Sequence, residues 1–407
     1  MKGKRLMLLL LIMALVCAAA FAEERITKIK DVPVREVPQV TAKRANGVIT
    51  AEEWTEYYPE IVESLSMNRD NTERVKYTET NPDIQILYDG MGFAFDYTSA
   101  IGHSYTLQDI SETTRPHKLA NCLTCKTPDY TALVNQVGTA AYSMDFNEVY
   151  AMMSEPITCW ECHGNTPGTL TLTHGYTRDA IGDEVAAGTI DPVNAVCAQC
   201  HTEYCFQPAS KATVVPWHDV ASMHPDAILA VENAIGYTDF TNENTGTKMI
   251  KVQHPETETY LGEGSVHANM FNCADCHQGV AYTEDGRAFV SHNLISPLDN
   301  PQLLQDTCSA CHTDLAAEVR AIQAHVTQRE NEISAKLVEL NGRLAEVVAS
   351  GTRTEEELDA IRAVNRDAQF YWDFVFVENS EGAHNSRLSD YCLDKAETLC
   401  EQALQML

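Results

Sequence analysis

A mainly α chain is predicted, with short helices and loops over most of its length and long helices at its C-terminal end. Residues 314–349 are rich in Ala, Glu, Leu, Val and Gln, with apolar positions recurring near every 3.6 residues. Residues 82–312 are cut by Gly, Pro and Asn into short segments, and no alternation persists long enough for a large sheet. The same broken stretch carries five Cys-x-x-Cys motifs between residues 122 and 312.

The chain begins Met1-Lys2-Gly3-Lys4-Arg5, runs apolar from Leu6 to Ala20, and reaches Ala20-Phe21-Ala22 before Glu23-Glu24. A basic start, a short apolar run and an A-x-A site read as a secretory signal over residues 1–22. Export to the periplasm or the outer face of the cytoplasmic membrane is expected. Residues 23–46, charged and holding Pro33 and Pro38, read as an extended arm. Thr50-Ala51-Glu52-Glu53 is a capping box that starts a helix toward Tyr58. A long helix over 314–349 stops at Ser350-Gly351. The capping box Thr354-Glu355-Glu356-Glu357 opens a second helix toward Glu378. Gly382 breaks the pattern, and a third helix fills about 386–405. Residues 23–407 read as one domain, with 314–405 serving packing or a dimer contact.

With 44% hydrophobic residues the chain is globular. Its formal charge of −29 argues against nucleic acid and against anionic membrane surfaces. An anionic substrate would be repelled at long range and would need a local cationic site. Of the 14 cysteines, ten lie in the motifs and Cys17 lies in the signal. Cys205, Cys392 and Cys400 remain, and read as small buried apolar side chains.

Four motifs end in His: Cys159/Cys162/His163, Cys197/Cys200/His201, Cys273/Cys276/His277 and Cys308/Cys311/His312. C-x-x-C-H is the c-type haem attachment signature, two thioethers followed by an iron ligand. Four copies in one exported chain disfavour zinc or thiol-redox chemistry. The first motif is Cys122-Leu123-Thr124-Cys125-Lys126, which offers an amine to iron instead. Five covalent haems make this a compact multihaem cytochrome c domain. Electron-carrying haems want a second strong ligand each. Ten histidines lie outside the motifs: His103, His117, His174, His218, His224, His254, His267, His292, His325 and His384. Spacing alone does not say which four serve. An iron on Lys126 without a second ligand would be open to substrate and fed by the other four.

The chain resembles the pentahaem, ammonia-forming cytochrome c nitrite reductases. The likeness rests on the order of C-x-x-C-K and four C-x-x-C-H motifs, on Cys200-His201-Thr202-Glu203-Tyr204, and on Lys251-Val252-Gln253-His254-Pro255-Glu256. It runs from Trp54 to Asn385. The resemblance implies Arg115, Tyr204 and His254 as the substrate pocket above the Lys126 haem. It implies His103, His292, His384 and His267 as second ligands of the third, second, fourth and fifth haems. It also implies a calcium ion held by the Glu203 carboxylate, the Gln253 amide oxygen and the carbonyls of Tyr204 and Lys251, all hard oxygen donors. Only six residues separate Arg115 from Cys122, where many members carry a longer loop. The expected activity is six-electron reduction of nitrite to ammonium. The expected partners are a homodimer mate and either a membrane-bound quinol-oxidising multihaem cytochrome or a soluble multihaem donor. Two alternatives compete: an electron-transfer cytochrome with no substrate, and a reductase of hydroxylamine or sulfur oxyanions.

Overall fold

The structure, a computed structural model, describes residues 28–116 and 118–407. The signal expected over residues 1–22 and the His117 side chain lie outside the described residues. None of the described helices is long and apolar enough to cross a membrane.

Three helices dominate the C-terminal third: Leu315–Ser350, Glu355–Phe376 and Ser386–Met406. Each begins at a side-chain cap. The Asp314 carboxylate accepts from Ala317 N–H, Thr354 and Glu357 form the expected reciprocal capping box, and the Asn385 amide oxygen accepts from Leu388 N–H. The first helix ends at Gly351 in the left-handed region, with φ at 62°. Ile333, Leu337, Leu340 and Leu344, spaced by three and four, are fully buried against the other two helices, as are Ala396, Cys400 and Ala403 of the third. Arg329 and Lys336 bridge Asp394, Glu397 and Glu401 across the first and third helices.

The rest of the described chain is short helices and loops with three two-stranded antiparallel hairpins, so no large sheet forms among the described residues. The helix expected from Thr50 toward Tyr58 ends earlier, spanning Ala51–Trp54. A second helix, Pro59–Ser66, starts from Tyr58. Proline suits a first helical turn and forces the preceding residue out of helical geometry, which explains the break. Past a single turn at Ile29–Asp31, residues 32–49 form no helix or strand. This arm is tied to distant segments: Ile29 N–H donates to Asp275, and Arg44 and Asn46 pair with Asp129.

One core joins the haem-motif region to the C-terminal helices, reaching from Ile84 through Met249 and Trp372 to Ala403. The Lys251–Asp373 ion pair, 3.1 Å and fully buried, pins the Lys251–Glu256 segment to the second long helix. Asp373 also accepts from Val252 N–H and, at 2.5 Å, from the Tyr88 hydroxyl. Burial of such a pair is stabilising only when its polar atoms are satisfied, and here both partners are.

Candidate haem cavity and active site

The motif cysteines sit on single helical turns, such as Cys159–His163 and Cys273–His277. Residues three apart on a turn share a face, so both thiols of a motif point the same way. All ten motif cysteines line one continuous cavity of about 2440 Å³. A single small-ligand pocket spans roughly 300–1,000 Å³. The space therefore suits several large flat groups sharing one chamber.

Four pairs of imidazoles face each other across that chamber. Ring centroids are 6.2 Å apart for His103 and His201, 6.3 Å for His163 and His292, 5.9 Å for His277 and His384, and 5.9 Å for His267 and His312. Two metal–imidazole bonds of about 2 Å, plus the reach of the rings, give a separation of about 6 Å. Each pair thus leaves room for one iron. Five of the eight Nδ1 atoms make hydrogen bonds elsewhere: His163 with Thr169 O, His292 with Val290 O and His277 with Ile295 O, all at 3.0 Å. Nδ1 of His384 meets Glu378 and Nδ1 of His312 meets Glu318, both at 2.7 Å. Engagement of Nδ1 orients the ring and leaves Nε2 for a metal. Burial holds His103, His277 and His292 at about 4, so their rings are neutral and able to ligate.

Two glycines deliver second imidazoles. Gly102, at φ 120°, turns the chain into His103. Gly382, at φ 87°, precedes His384, and a side chain there would meet Val326 at 2.7 Å.

Neighbouring thiols give the order of the sites. Cys125 lies beside Cys200, and Cys197 beside Cys273. Cys162 also lies near Cys197, and Cys276 near Cys308. The third motif therefore touches the first, second and fourth, and the fourth touches the fifth.

Lys126 lines the same cavity, as do Arg115, Tyr204 and His254. The Lys126 carbonyl accepts from the Thr106 hydroxyl at 2.6 Å. Arg115 Nε donates to Thr113 Oγ1 at 2.9 Å, and its guanidinium lies 4.3 Å from the centre of the Phe93 ring. Asp96 accepts from both Thr113 and Thr114 and so holds the loop that carries Arg115. A side chain at Gly92 would press on Arg115 Cβ and Cγ at 3.1 Å. Burial pushes the Tyr204 hydroxyl well above its usual range, so it stays a proton-bearing donor. Glu256 lies 3.8 Å from His254 Nδ1 and 3.9 Å from His201 Nδ1. Burial opposes its charge, but these imidazoles hold its carboxyl well below the ordinary range. The short loop before Cys122 still brings Arg115 to the chamber.

Residues 50–407 match the cytochrome c552 family. The chain belongs to that family. Its fold is also that of the catalytic subunit of cytochrome c nitrite reductase from Desulfovibrio desulfuricans. That likeness has 23% identity and a TM-score of 0.78, and covers 90% of this chain and 87% of that one. Two further cytochromes match less of their own length. The outer cell wall cytochrome OcwA shares 20% identity at a TM-score of 0.41, over 73% of this chain and 48% of its own. An undecahaem cytochrome from the S-layer of Carboxydothermus ferrireducens shares 18% at 0.36, over 75% and 41%. Haem c is thus the cofactor of this cytochrome c552 chain, and the paired imidazoles and thiols fit it. Bound haem supplies one-electron redox chemistry and, where one iron face is free, a Lewis-acidic site.

Beside the Tyr204 segment of this family member lies an uncompensated carboxylate. Glu203 is fully buried; its Oε2 accepts from Gln253 N–H at 2.5 Å, and its Oε1 has no hydrogen-bond partner. Burial, then the nearby Glu232, raises its carboxyl far above the usual range. The Lys251 ammonium does not relieve it, being committed to Asp373 and Val252 O. The Gln253 side chain donates to the Lys251 carbonyl at 2.7 Å, so two of the expected oxygen donors already adjoin. An orphaned buried carboxylate amid carbonyl oxygens fits a hard cation. Among the described residues no group of three or more His, Cys, Asp or Glu side chains forms a metal site. The calcium site implied by the resemblance draws on one carboxylate, with its other donors neutral oxygens.

The remaining histidines divide as expected of structural residues. His174 is buried against Glu161 at 3.1 Å, His224 caps a helix at Asp226 N, His325 pairs with Asp390, and His218 is exposed. Cys205, Cys392 and Cys400 are buried and unbridged. Sequence reasoning missed Phe93, Asp96, Glu256 and Glu378. Only Glu256 carried a signal, as the last residue of the quoted Lys251–Glu256 motif.

Proposed function

We propose that this chain reduces nitrite to ammonium at the haem on Cys122, Cys125 and Lys126, fed by four haems each held between two histidines. One observation carries the reading: Arg115, Tyr204, His254 and Lys126 line the chamber that also holds the four imidazole pairs. The third motif, adjacent to the first, would connect the pocket to the others. The six-electron, eight-proton conversion needs a supply of electrons, a site for an anion and a source of protons.

Arg115 binds the anion. A guanidinium presents a planar fork to two oxygens and stabilises negative charge as N–O bonds weaken. In a chain this acidic it supplies the local positive charge that long-range electrostatics do not. Phe93 below and Thr113 beside it fix its direction. Tyr204 donates a hydrogen bond from a hydroxyl that burial keeps protonated. His254, next to the Glu256 carboxylate, is placed to pass protons. Calcium at Glu203, Gln253 and the carbonyls of Tyr204 and Lys251 would fix the two segments that carry Tyr204 and His254, and would offset the Glu203 charge. The same reading includes export to the periplasm or the outer face of the cytoplasmic membrane and a homodimer through the long C-terminal helices. The electron donor would be a quinol-oxidising membrane cytochrome or a soluble multihaem protein.

The test is a product assay on fully haem-loaded protein with a reduced dye. Ammonium should form from nitrite with six electrons consumed per ammonium. No ammonium above background would sink the reading and leave the electron-transfer alternative. Faster turnover of hydroxylamine or sulfite than of nitrite would move the substrate to those classes.

A further inference from the structure

The facing imidazoles differ in what their second nitrogen meets. Both ligands of the second site, His163 and His292, engage neutral backbone carbonyls at 3.0 Å. In the fourth site His277 does the same, but His384 meets the Glu378 carboxylate at 2.7 Å. Glu378 is 3% exposed. His312 of the fifth site also meets a carboxylate, Glu318, but that side chain is 50% exposed, where water and salt screen its charge. Glu378 is therefore the one fully enclosed carboxylate acting on a facing imidazole at hydrogen-bond distance among the described residues.

Its geometry is fixed. The Ser380 hydroxyl donates to Glu378 Oε2 at 2.5 Å, and the same hydroxyl accepts from His384 N–H at 2.9 Å. Ser380 N–H donates to Oε1 at 3.2 Å. Backbone turns at Glu381, φ 53°, and Gly382, φ 87°, close this loop. The carboxylate is thus held on the ring from two sides.

A carboxylate on Nδ1–H makes an imidazole a stronger donor, and a buried negative charge near iron favours the oxidised state. We propose that Glu378 sets the fourth haem, on Cys273, Cys276, His277 and His384, to a lower reduction potential than the second haem. The fourth motif adjoins the third through Cys273 and Cys197, so a lowered potential drives electrons from the fourth haem toward that junction. The proposal rests on haem attachment and not on the identity of the substrate.

The decisive variant is Glu378→Gln in the holoprotein, which keeps an oxygen acceptor and removes the charge. Spectroelectrochemical titration should show one of five midpoints shifted upward and the other four unmoved, with the low-spin spectrum intact. Glu378→Asp, which keeps the charge, should leave that midpoint closer to wild type than Glu378→Gln does. Five unchanged midpoints in Glu378→Gln would overturn the proposal. So would loss of the His384 low-spin signal in that variant, because Glu378 would then serve only to hold the ring.

Discussion

The four His-terminated motifs and the Lys-terminated one share the thiol arrangement and the chamber, yet they differ in what surrounds them. Each His-type motif meets a second imidazole at 5.9–6.3 Å, with Nδ1 hydrogen bonds holding several of these rings. The Lys126 motif opens on the same chamber, whose wall also carries the Arg115 guanidinium, the Tyr204 phenol and the His254 imidazole, which lies against the Glu256 carboxylate. Under the proposed function, one attachment scheme serves two tasks. Closure by a second ring suits an electron carrier, whereas convergent donors around an unpaired position suit a substrate. The segments that carry these groups are short: residues 113–115, after the helix Thr106–Glu112, carry Arg115, and the Lys251–Glu256 segment, anchored by Asp373, carries His254.

The sharpest break in this comparison is Arg115→Leu. Losing a preorganised charge donor should lower kcat/KM for nitrite by about 10²–10³-fold. Uncharged hydroxylamine should lose much less, and equal losses on both substrates would mean that Arg115 does not act on the anion. Next comes the cation site. Chelation, or Glu203→Gln, should reduce nitrite turnover by roughly 10–100-fold, the usual range for supports of a metal centre. The low-spin haem spectrum should stay unchanged, and calcium should restore the chelated enzyme. Activity indifferent to chelation, in protein shown to be calcium-free, would remove calcium from the mechanism. Lys126→His makes the odd motif like the other four. Haem should still attach, and turnover should fall by roughly tenfold, about 1.4 kcal/mol of barrier. Unchanged rates would make the amine incidental.

Much of this is legible in the sequence alone. Capping boxes at Thr50 and Thr354 and the stop at Gly351 are local signals, and they placed helix ends within a residue or two wherever no proline intervened. The motif thiols and their following ligands are contiguous and read directly. The second imidazoles were not legible from spacing, because His384 and His277, or His103 and His201, lie far apart in the chain and are joined only by packing. Resemblance to a family supplied those pairs. Phe93, Asp96 and Glu378 were invisible for a different reason. A phenylalanine or a carboxylate carries no pattern that marks it, and its role exists only in the partner it meets.

The smallest expected effect tests whether an open coordination position is enough. His292 engages Val290 O and faces His163 in the second site. His292→Ala should convert that haem from low-spin to high-spin and raise the number of cyanide-binding irons by one. Ammonium formation per enzyme should not increase if, as proposed, Arg115, Tyr204 and His254 serve the Lys126 site and not this one. The second motif adjoins the third, while the third also adjoins the fourth, so electrons retain a path that avoids the altered haem. A gain in nitrite turnover would show that openness alone confers activity. An unchanged rate with one added ligand-binding iron would locate the chemistry in the side chains around Lys126.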